Sequence, residues 1–325
     1  MKIHCFGSRG SIPSPSREGF DTMHFGGNTT CYLLEAGPFF FIFDMGSGAL
    51  VAGDYLMSKG HIGKEFIQLG THFHWDHLQG GPFAVPVYLA LNTFHIHGPV
   101  PSGYEDPKGF PRTAVESVLS SHQANPFFPV AHECLPAKKT YHGHDRQFPD
   151  EFWYFYDDGK VIFAKTLGDA PDNYQDKIHI QTIPLHHPDG CLGYRINYKG
   201  ASLAFCTDVE PLRYPNHQIL KRATGVQWLL MDGQYKEEEI AGLVQGFGHG
   251  TPLSCIEQVK AILDGQEGMG LQPQLVISHH DPRRCDYDLA IMEKEAKEDA
   301  EELGLDPDLV TFAREGAVWE IPETE

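Results

Sequence analysis

The chain has 325 residues, and its 25 lysines and arginines against 44 aspartates and glutamates give a formal net charge of −19 at pH 7. Apolar residues make up 41% and charged residues 21%, a composition that builds a sizeable core and excludes a disordered chain. Such an acidic chain repels polyanions, so long RNA or DNA is a disfavoured partner. No apolar stretch approaches the ~18 residues of a bilayer span, and we expect no membrane partner.

The cysteines favour a reducing compartment. They are seven in number and scattered, without any C-x-x-C pair, which argues against a disulfide framework. The first residues turn into Gly7-Ser8-Arg9-Gly10 before a secretory apolar region forms. We therefore expect a cytoplasmic protein. Its oligomeric state is open, with a homo-oligomer as one alternative.

Short apolar runs bounded by glycine and proline predict strands in the first 70 residues. The predicted strands are 3–6, 31–34, 39–43 and 66–69, with a helix at 49–59.

The pattern weakens between residues 92 and 176, where we expect an elaborated, partly irregular segment with a helix at 113–121. The segment is rich in histidines, namely His95, His97, His122, His132, His142 and His144. They form no second dense ligand cluster, so we predict surface and loop residues, with an accessory metal site as the alternative. The aromatic run 152–156 fits either a core strand or a surface that stacks on a base.

Regular patterns return after residue 178. Strands are predicted at 179–183, 193–196, 202–206, 228–231, 275–278 and 317–320, and helices at 252–264 and 286–303. Two strand-rich halves, each closed by helices, predict one α/β domain of layered sheets over residues 1–325.

The most informative segment has the pattern H-x-H-x-D-H, formed by His72, His74, Asp76 and His77. Side chains two apart on a strand share a face, so His72 and His74 point the same way. Imidazole nitrogen and carboxylate oxygen suit Zn(II), Mn(II) or Fe(II). One ion cannot use all of these groups and keep an open position, so the pattern favours two adjacent ions.

Further ligand candidates follow apolar runs later in the chain. His187, Asp208 and His279 each lie just past a predicted strand, where α/β proteins commonly collect functional groups.

With these motifs the sequence resembles the metallo-β-lactamase superfamily, and within it the phosphodiesterase branch that includes tRNase Z and the phosphonate-pathway cyclic phosphodiesterase. The resemblance runs nearly end to end. Its segments are 6–13, 26–31, 43–48, 71–77, 187–188, 193–195, 207–208, 232–235, 248–251 and 279–282.

The resemblance implies an αββα sandwich with two divalent metal ions, zinc as the first expectation and manganese or iron(II) as alternatives. The implied ligands are His72, His74 and His187 for the first ion, Asp76, His77 and His279 for the second, and Asp208 as the bridge. His186 and His280 remain alternatives to His187 and His279. Asp44 is expected to orient a ligand imidazole rather than bind metal.

The implied activity is hydrolysis of a small or cyclic nucleotide-like phosphodiester by a water that the two ions activate. Asp208 and Asp76 act at the metals, and His249 is the candidate acid or charge stabiliser for the leaving group. This sequence has Gly250 where tRNase Z relatives carry serine, and a purely structural His249 is the alternative.

Other functions fit the same fold. One is a tRNase Z-like endoribonuclease, which the net charge disfavours. Another is a carboxylic ester, lactone or thioester hydrolase on the same metals. Di-iron oxidoreductases of this fold carry glutamate where this chain has His74, and a non-catalytic relative would have lost ligands.

Overall fold

The strands of the first half form one sheet. The computed structural model describes residues 1–101, 113–211, 215–240, 242, 244–265 and 272–323. The first sheet contains β1 (Lys2–Gly7), β2 (Cys31–Ala36), β3 (Phe39–Phe43), β4 (Glu65–Leu69), β5 (Thr93–Pro99), β6 (Lys138–His144) and β15 (Val318–Glu320). Its order is β15-β1-β2-β3-β4-β5-β6, and β3 to β6 are parallel.

The second sheet is built from the later strands. They are β7 (Glu151–Asp157), β8 (Lys160–Ala164), β9 (Asp176–Leu185), β10 (Cys191–Tyr198), β11 (Ala201–Cys206), β12 (Trp228–Asp232), β13 (Gln274–Ser278) and β14 (Val310–Phe312). The order is β14-β13-β12-β11-β10-β9-β7-β8, and β11 to β14 are parallel.

The helices are α1 (Ala49–Ser58), α2 (Ala114–His122), α3 (His217–Arg222), α4 (Glu237–Ile240), α5 (Pro252–Asp264) and α6 (Asp286–Glu302). Their starts follow local sequence. The Thr113 hydroxyl accepts from the backbone N–H of Glu116, and Thr251 forms a capping box with Ser254. None of these helices, within the described ranges, combines the length and apolar character that a membrane span needs.

Three apolar clusters define the layers. One fills the space between the sheets, where the rings of Phe43 on β3 and Phe205 on β11 stack with centroids 4.5 Å apart. The second packs α1 and α2 on the outer face of the first sheet, and the third packs α3, α5 and α6 on the second sheet. The arrangement is an αββα sandwich, which confirms the predicted fold class.

The segment 92–176 is more regular than its sequence indicates. It contains β5 to β8 and α2, and the run 152–156 lies in β7 as a core strand; residues 102–112 lie outside the described part. The prediction of loop residues is wrong for His95 and His97 on β5 and for His142 and His144 on β6.

Burial of these histidines has a physical reason, because their ring nitrogens have partners. The Nδ1 atom of His97 lies 2.8 Å from Nε2 of His144, and its Nε2 lies 2.7 Å from the hydroxyl of Tyr154. His132 is also buried, near Tyr141, and His122 is half-buried at the end of α2. In the described ranges, none of these histidines belongs to an ion-sized group of ligand atoms.

Candidate metal centre

Strand ends bring the predicted ligands together at one edge of the sandwich. His72 follows β4, while His187, Asp208 and His279 follow β9, β11 and β13. Parallel strands end at the same edge of a sheet, so residues from distant parts of the chain converge there.

The H-x-H-x-D-H segment divides its ligands between two groups. A short 3₁₀ turn over Trp75–His77 begins where the backbone N–H of His77 donates to the carbonyl of His74, at 3.1 Å. After the turn, Asp76 and His77 belong to a different ligand group from His72 and His74, although the rings of His72 and His77 remain close, with centroids 4.2 Å apart.

The first ligand cluster consists of His72, His74 and His187, whose ligand atoms lie within 4.8 Å of one another. The Nδ1 atom of His74 is 3.1 Å from Nε2 of His187. His74 is exposed, whereas His72 and His187 are buried.

The second ligand cluster consists of Asp76, His77, Asp208 and His279, all buried. Oδ1 of Asp208 lies 3.4 Å from Nε2 of His77 and 3.1 Å from Nε2 of His279. Oδ2 of Asp76 lies 3.3 and 3.2 Å from the same two nitrogens. Three polypeptide segments thus surround one ion-sized space.

Asp208 also faces the first ligand cluster, because its Oδ1 is 3.8 Å from Nε2 of His72. Two buried atoms here have no hydrogen-bond partner in the described part of the chain: Nε2 of His72 and Oδ2 of Asp208. Unsatisfied buried polar atoms are costly, and a cation between them would satisfy both. The donor set therefore fits divalent metal ions.

The nitrogens on the far sides of the imidazoles have fixed partners. Nδ1 of His77 lies 2.8 Å from Oδ2 of Asp44, as the sequence predicts for that carboxylate. Nδ1 of His279 lies 2.9 Å from Oε1 of Gln234, and Nδ1 of His187 lies 2.8 Å from the carbonyl of Gly248. These contacts orient each Nε2 towards the centre, the usual arrangement around metal-binding histidines.

Close packing explains the glycine at 248. Its φ is +93°, and a Cβ there would overlap the His187 ring. Asp44, Asp208 and His279 also have positive φ, of 55°, 60° and 61°. Positive φ is uncommon for non-glycine residues, and at these three positions it turns the chain into the centre at or just past the end of a strand.

Electrostatics keep Asp208 charged. Burial disfavours its carboxylate, but the imidazoles of His279 and His77 outweigh burial and hold the pKa of Asp208 well below its usual value. Burial opposes imidazolium at His279, but Asp208 and Asp76 raise its pKa to about 10. Burial lowers the pKa of His72 well below its usual value. The second ligand cluster thus favours positive charge, which a proton or a metal ion can supply.

His249 adjoins the second ligand cluster. Its Nδ1 lies 2.7 Å from Oδ2 of Asp232 and 3.8 Å from Oδ1 of Asp208. Asp208, Asp232, His249 and His279 form a third group with ligand atoms within 4.8 Å of one another.

The two histidine doublets separate clearly. His186 is exposed and His280 is buried elsewhere, with its Nε2 2.9 Å from the carbonyl of Ala313. The structure brings His187 and His279 into the ligand clusters with the other predicted ligands, and it places His249 beside the second cluster.

Sequence analysis did not find Asp232 as the partner of His249 or Gln234 as the partner of His279. Both lie in the segment Asp232-Gly233-Gln234-Tyr235, which begins at the last residue of β12. A polar residue at a strand end was the available signal. Ser11 was also missed, and its backbone N–H donates to Oδ2 of Asp76 at 2.7 Å.

A cavity of about 430 Å³ opens onto the ligand clusters. Its lining residues are Ser11, Phe73, His74, Trp75, Asp76, Asp208 and His249. A small molecule can therefore reach groups of both clusters from solvent.

The sequence matches no protein-family model and no curated protein. Solved structures do match. The metallo-β-lactamase fold protein YhfI from Bacillus subtilis aligns with a TM-score of 0.58 at 16% identity, over 98% of each chain. The short form of human tRNase Z aligns with a TM-score of 0.57 at 16% identity, over 99% of this chain and 100% of that one.

A diphosphatase from the PhnP family aligns with a TM-score of 0.57 at 13% identity, over 99% of this chain and 98% of that one. Agreement over whole chains at such low identity reflects shared architecture. Together with the αββα layers and the His/Asp site at the sheet edge, it shows that this chain has the metallo-β-lactamase fold.

Proposed function

We propose that the chain is a dinuclear metal-dependent hydrolase of small, nucleotide-like phosphodiesters. The observation that carries this proposal is the position of Asp208, whose carboxylate faces two ion-sized ligand clusters at once. A shared carboxylate between two clusters is typical of sites for a pair of ions.

The residues would hold the ions as follows. His72, His74 and His187 would bind one, Asp76, His77 and His279 the other, and Asp208 both. Two divalent ions supply Lewis acidity, which lowers the pKa of a water and offsets charge on a phosphoryl group. Zinc suits this imidazole-rich set, and manganese or iron(II) would also fit.

The protein's own acid-base group is His249. Its Nδ1–H can donate to Asp232, which fixes the orientation of the ring. A doubly protonated His249 at the cavity wall can give the proton on Nε2 to a departing alkoxide. Asp232 thus positions His249 for proton transfer.

The substrate class follows from charge and size. Two similar solved structures are named as a tRNase and a diphosphatase, which favours a phosphorus-containing substrate here. The net charge of −19 would repel a long polyanion, so a small phosphodiester is preferred over tRNA. All seven cysteines are free, which favours a cytoplasmic location.

The test is a substrate screen of the metal-loaded protein. The panel holds bis-p-nitrophenyl phosphate, 2′,3′-cyclic nucleotides, a precursor tRNA, a lactone and a thioester. We expect turnover of the small phosphodiesters and its loss in Asp208→Asn. Turnover of the lactone or thioester alone would contradict the phosphodiester assignment, and turnover of the tRNA alone would contradict the assignment of a small substrate.

A further inference from the structure

Trp75 is an exposed aromatic side chain between two candidate metal ligands. Its side chain is 77% exposed, yet its carbonyl accepts from the backbone N–H groups of Leu78 and Gln79, at 3.0 and 2.8 Å. The indole therefore projects from a fixed turn. It lines the cavity at the metal centre and also a second cavity of about 400 Å³.

The second cavity is walled by aromatic rings. Phe83, Phe127 and Phe128 line it together with Trp75, and we call these four residues the aromatic subsite. Phe83 is 56% and Phe127 83% exposed. Exposed rings gathered around one cavity usually mark a binding site.

The rings are carried by hydrogen-bonded turns. The backbone N–H groups of Phe127 and Phe128 both donate to the carbonyl of Ala124, at 2.8 and 3.1 Å, and that of Phe83 donates to Gly80 at 2.9 Å. Phe83 and Phe128 contact edge to face, with centroids 5.5 Å apart. Such preorganised rings lose little conformational freedom when a flat ligand binds.

The polar groups of this cavity are neutral amide, hydroxyl and imidazole groups. They belong to Gln79, Ser121, His122 and Gln123, and no lysine, arginine, aspartate or glutamate is among the described residues that line it. Burial lowers the pKa of His122, which keeps its ring uncharged at neutral pH. Aromatic faces with polar groups at the margin match an uncharged heterocycle rather than a charged or purely aliphatic group.

We propose that the aromatic subsite binds the nucleobase of a nucleotide whose phosphate lies at the metal centre. Trp75 lines both cavities, so a ligand that extends past the indole would place its phosphate among the imidazoles and its base among the rings. This inference rests on the proposed function for the position of the phosphate, and it makes the base a determinant of specificity.

The test measures binding rather than turnover. Dissociation constants of adenosine 5′-monophosphate, ribose 5-phosphate and phenyl phosphate are determined by calorimetry with the metal-loaded protein. We expect adenosine 5′-monophosphate to bind at least ~10-fold more tightly than ribose 5-phosphate, the gain that base stacking typically provides. Phenyl phosphate should gain less affinity than adenosine 5′-monophosphate, because its ring lacks the polar edge of a nucleobase.

Variants locate the effect. Trp75→Ala and Phe127→Ala should each weaken adenosine 5′-monophosphate binding about tenfold and leave ribose 5-phosphate unchanged, and Trp75→Phe should retain most of the preference. Trp75 lies between two candidate ligands, so the metal content of its variants is measured as well. Phe127 is remote in sequence from the ligands, and Phe127→Ala therefore tests the subsite independently of metal binding. Tyr287→Ala, at a 73% exposed tyrosine on α6, is the matched control and should change nothing.

The outcomes separate this inference from the proposed function. Equal affinity for the two sugar phosphates, or a preference that both alanine variants retain, overturns the subsite even if phosphodiesters are hydrolysed. Equal affinity of phenyl phosphate and adenosine 5′-monophosphate overturns the assignment to a base. A base preference that both alanine variants remove, in a protein that hydrolyses no phosphodiester, supports the subsite and contradicts the proposed reaction.

Discussion

The carboxylate of Asp44 and the imidazole of His77 meet at 2.8 Å, although 33 positions separate them in the chain. Both side chains are completely buried. Thr71 holds the same carboxylate with its backbone N–H and its hydroxyl, each at 2.8 Å. Asp44 therefore orients His77 while it is itself held in place.

Replacing Asp44 with alanine should weaken metal binding. Without its partner, the His77 ring loses its orientation, and we expect about 10- to 100-fold lower affinity, the usual effect of removing such a partner. Competition with a chromophoric chelator measures this. Asp54→Ala, at an exposed aspartate on α1, is the control. Unchanged affinity in Asp44→Ala would show that packing alone orients His77.

Asp208→Asn should lose metal from both ligand clusters, since this one carboxylate faces each of them. Elemental analysis should find less than one ion per chain, and hydrolysis should fall roughly 10²–10³-fold, the range for removing one group that stabilises developing charge. Asp264→Asn, at an exposed residue of α5, should behave as wild type. A full metal count would refute the bridging role.

The sequence predicts those site residues whose position follows from a local pattern, such as a motif or the end of an apolar run. The H-x-H-x-D-H spacing and the position of His187, Asp208 and His279 after apolar runs anticipate which residues converge, because the ends of strands meet at one sheet edge. Asp232 and Gln234 escape prediction because their contacts with His249 and His279 depend on the arrangement of separate loops.

The strands β5 and β6 illustrate a second limit. On β5, His95 and His97 alternate with apolar residues, as expected for a strand. The two histidines nevertheless lower the apolar content of the run, and this weakens the strand prediction. The burial of His97 becomes favourable only through His144 and Tyr154, partners on other strands. A pattern rule cannot foresee such pairing, so the segment resembles irregular structure in sequence alone.

The core between the sheets should be sensitive to Phe205→Ala. Phe205 is fully buried and packs on Tyr32 and Phe43 from the opposite sheet. We expect the free energy of unfolding to fall by about 3–5 kcal/mol, as for other buried phenylalanines. Urea unfolding followed by circular dichroism measures it. Phe148→Ala, at a 66% exposed ring, should cost less than about 0.5 kcal/mol. Similar costs for both variants would contradict this packing.

Acid should destabilise the fold through His142. Burial, with His95 and His144 nearby, lowers the pKa of His142 to about 4. In the unfolded chain this pKa returns to ~6.5, so between these values the unfolded state binds more protons and the free energy of unfolding decreases as the pH falls. Well above pH ~6.5 His142 is neutral in both states and contributes no pH dependence.

The variant His142→Gln isolates this contribution. Urea unfolding midpoints measured between pH ~4 and ~6.5 should depend less steeply on pH than in the wild type, because one proton-linked group is gone. The midpoint of the variant should still depend on pH, because burial also lowers the pKa values of His97 and His144. Identical slopes in variant and wild type would show that His142 is no more buried than in the unfolded chain.

The role of His249 can be separated from metal binding by the choice of leaving group. Asp232 holds Nδ1 of His249 at 2.7 Å, so a proton transfer from this ring would use Nε2. His249→Gln should lower kcat about 10²–10⁴-fold for a substrate with an alkoxide leaving group. It should affect bis-p-nitrophenyl phosphate much less, because p-nitrophenolate leaves without a proton. Metal content should stay unchanged, and His186→Gln, at the exposed histidine beside the site, should match wild type.

Because Asp232 positions the ring, Asp232→Asn should show the same dependence on leaving group with a smaller loss. An equal loss for both substrates, together with loss of metal, would instead make His249 a ligand, in the group it forms with Asp208, Asp232 and His279.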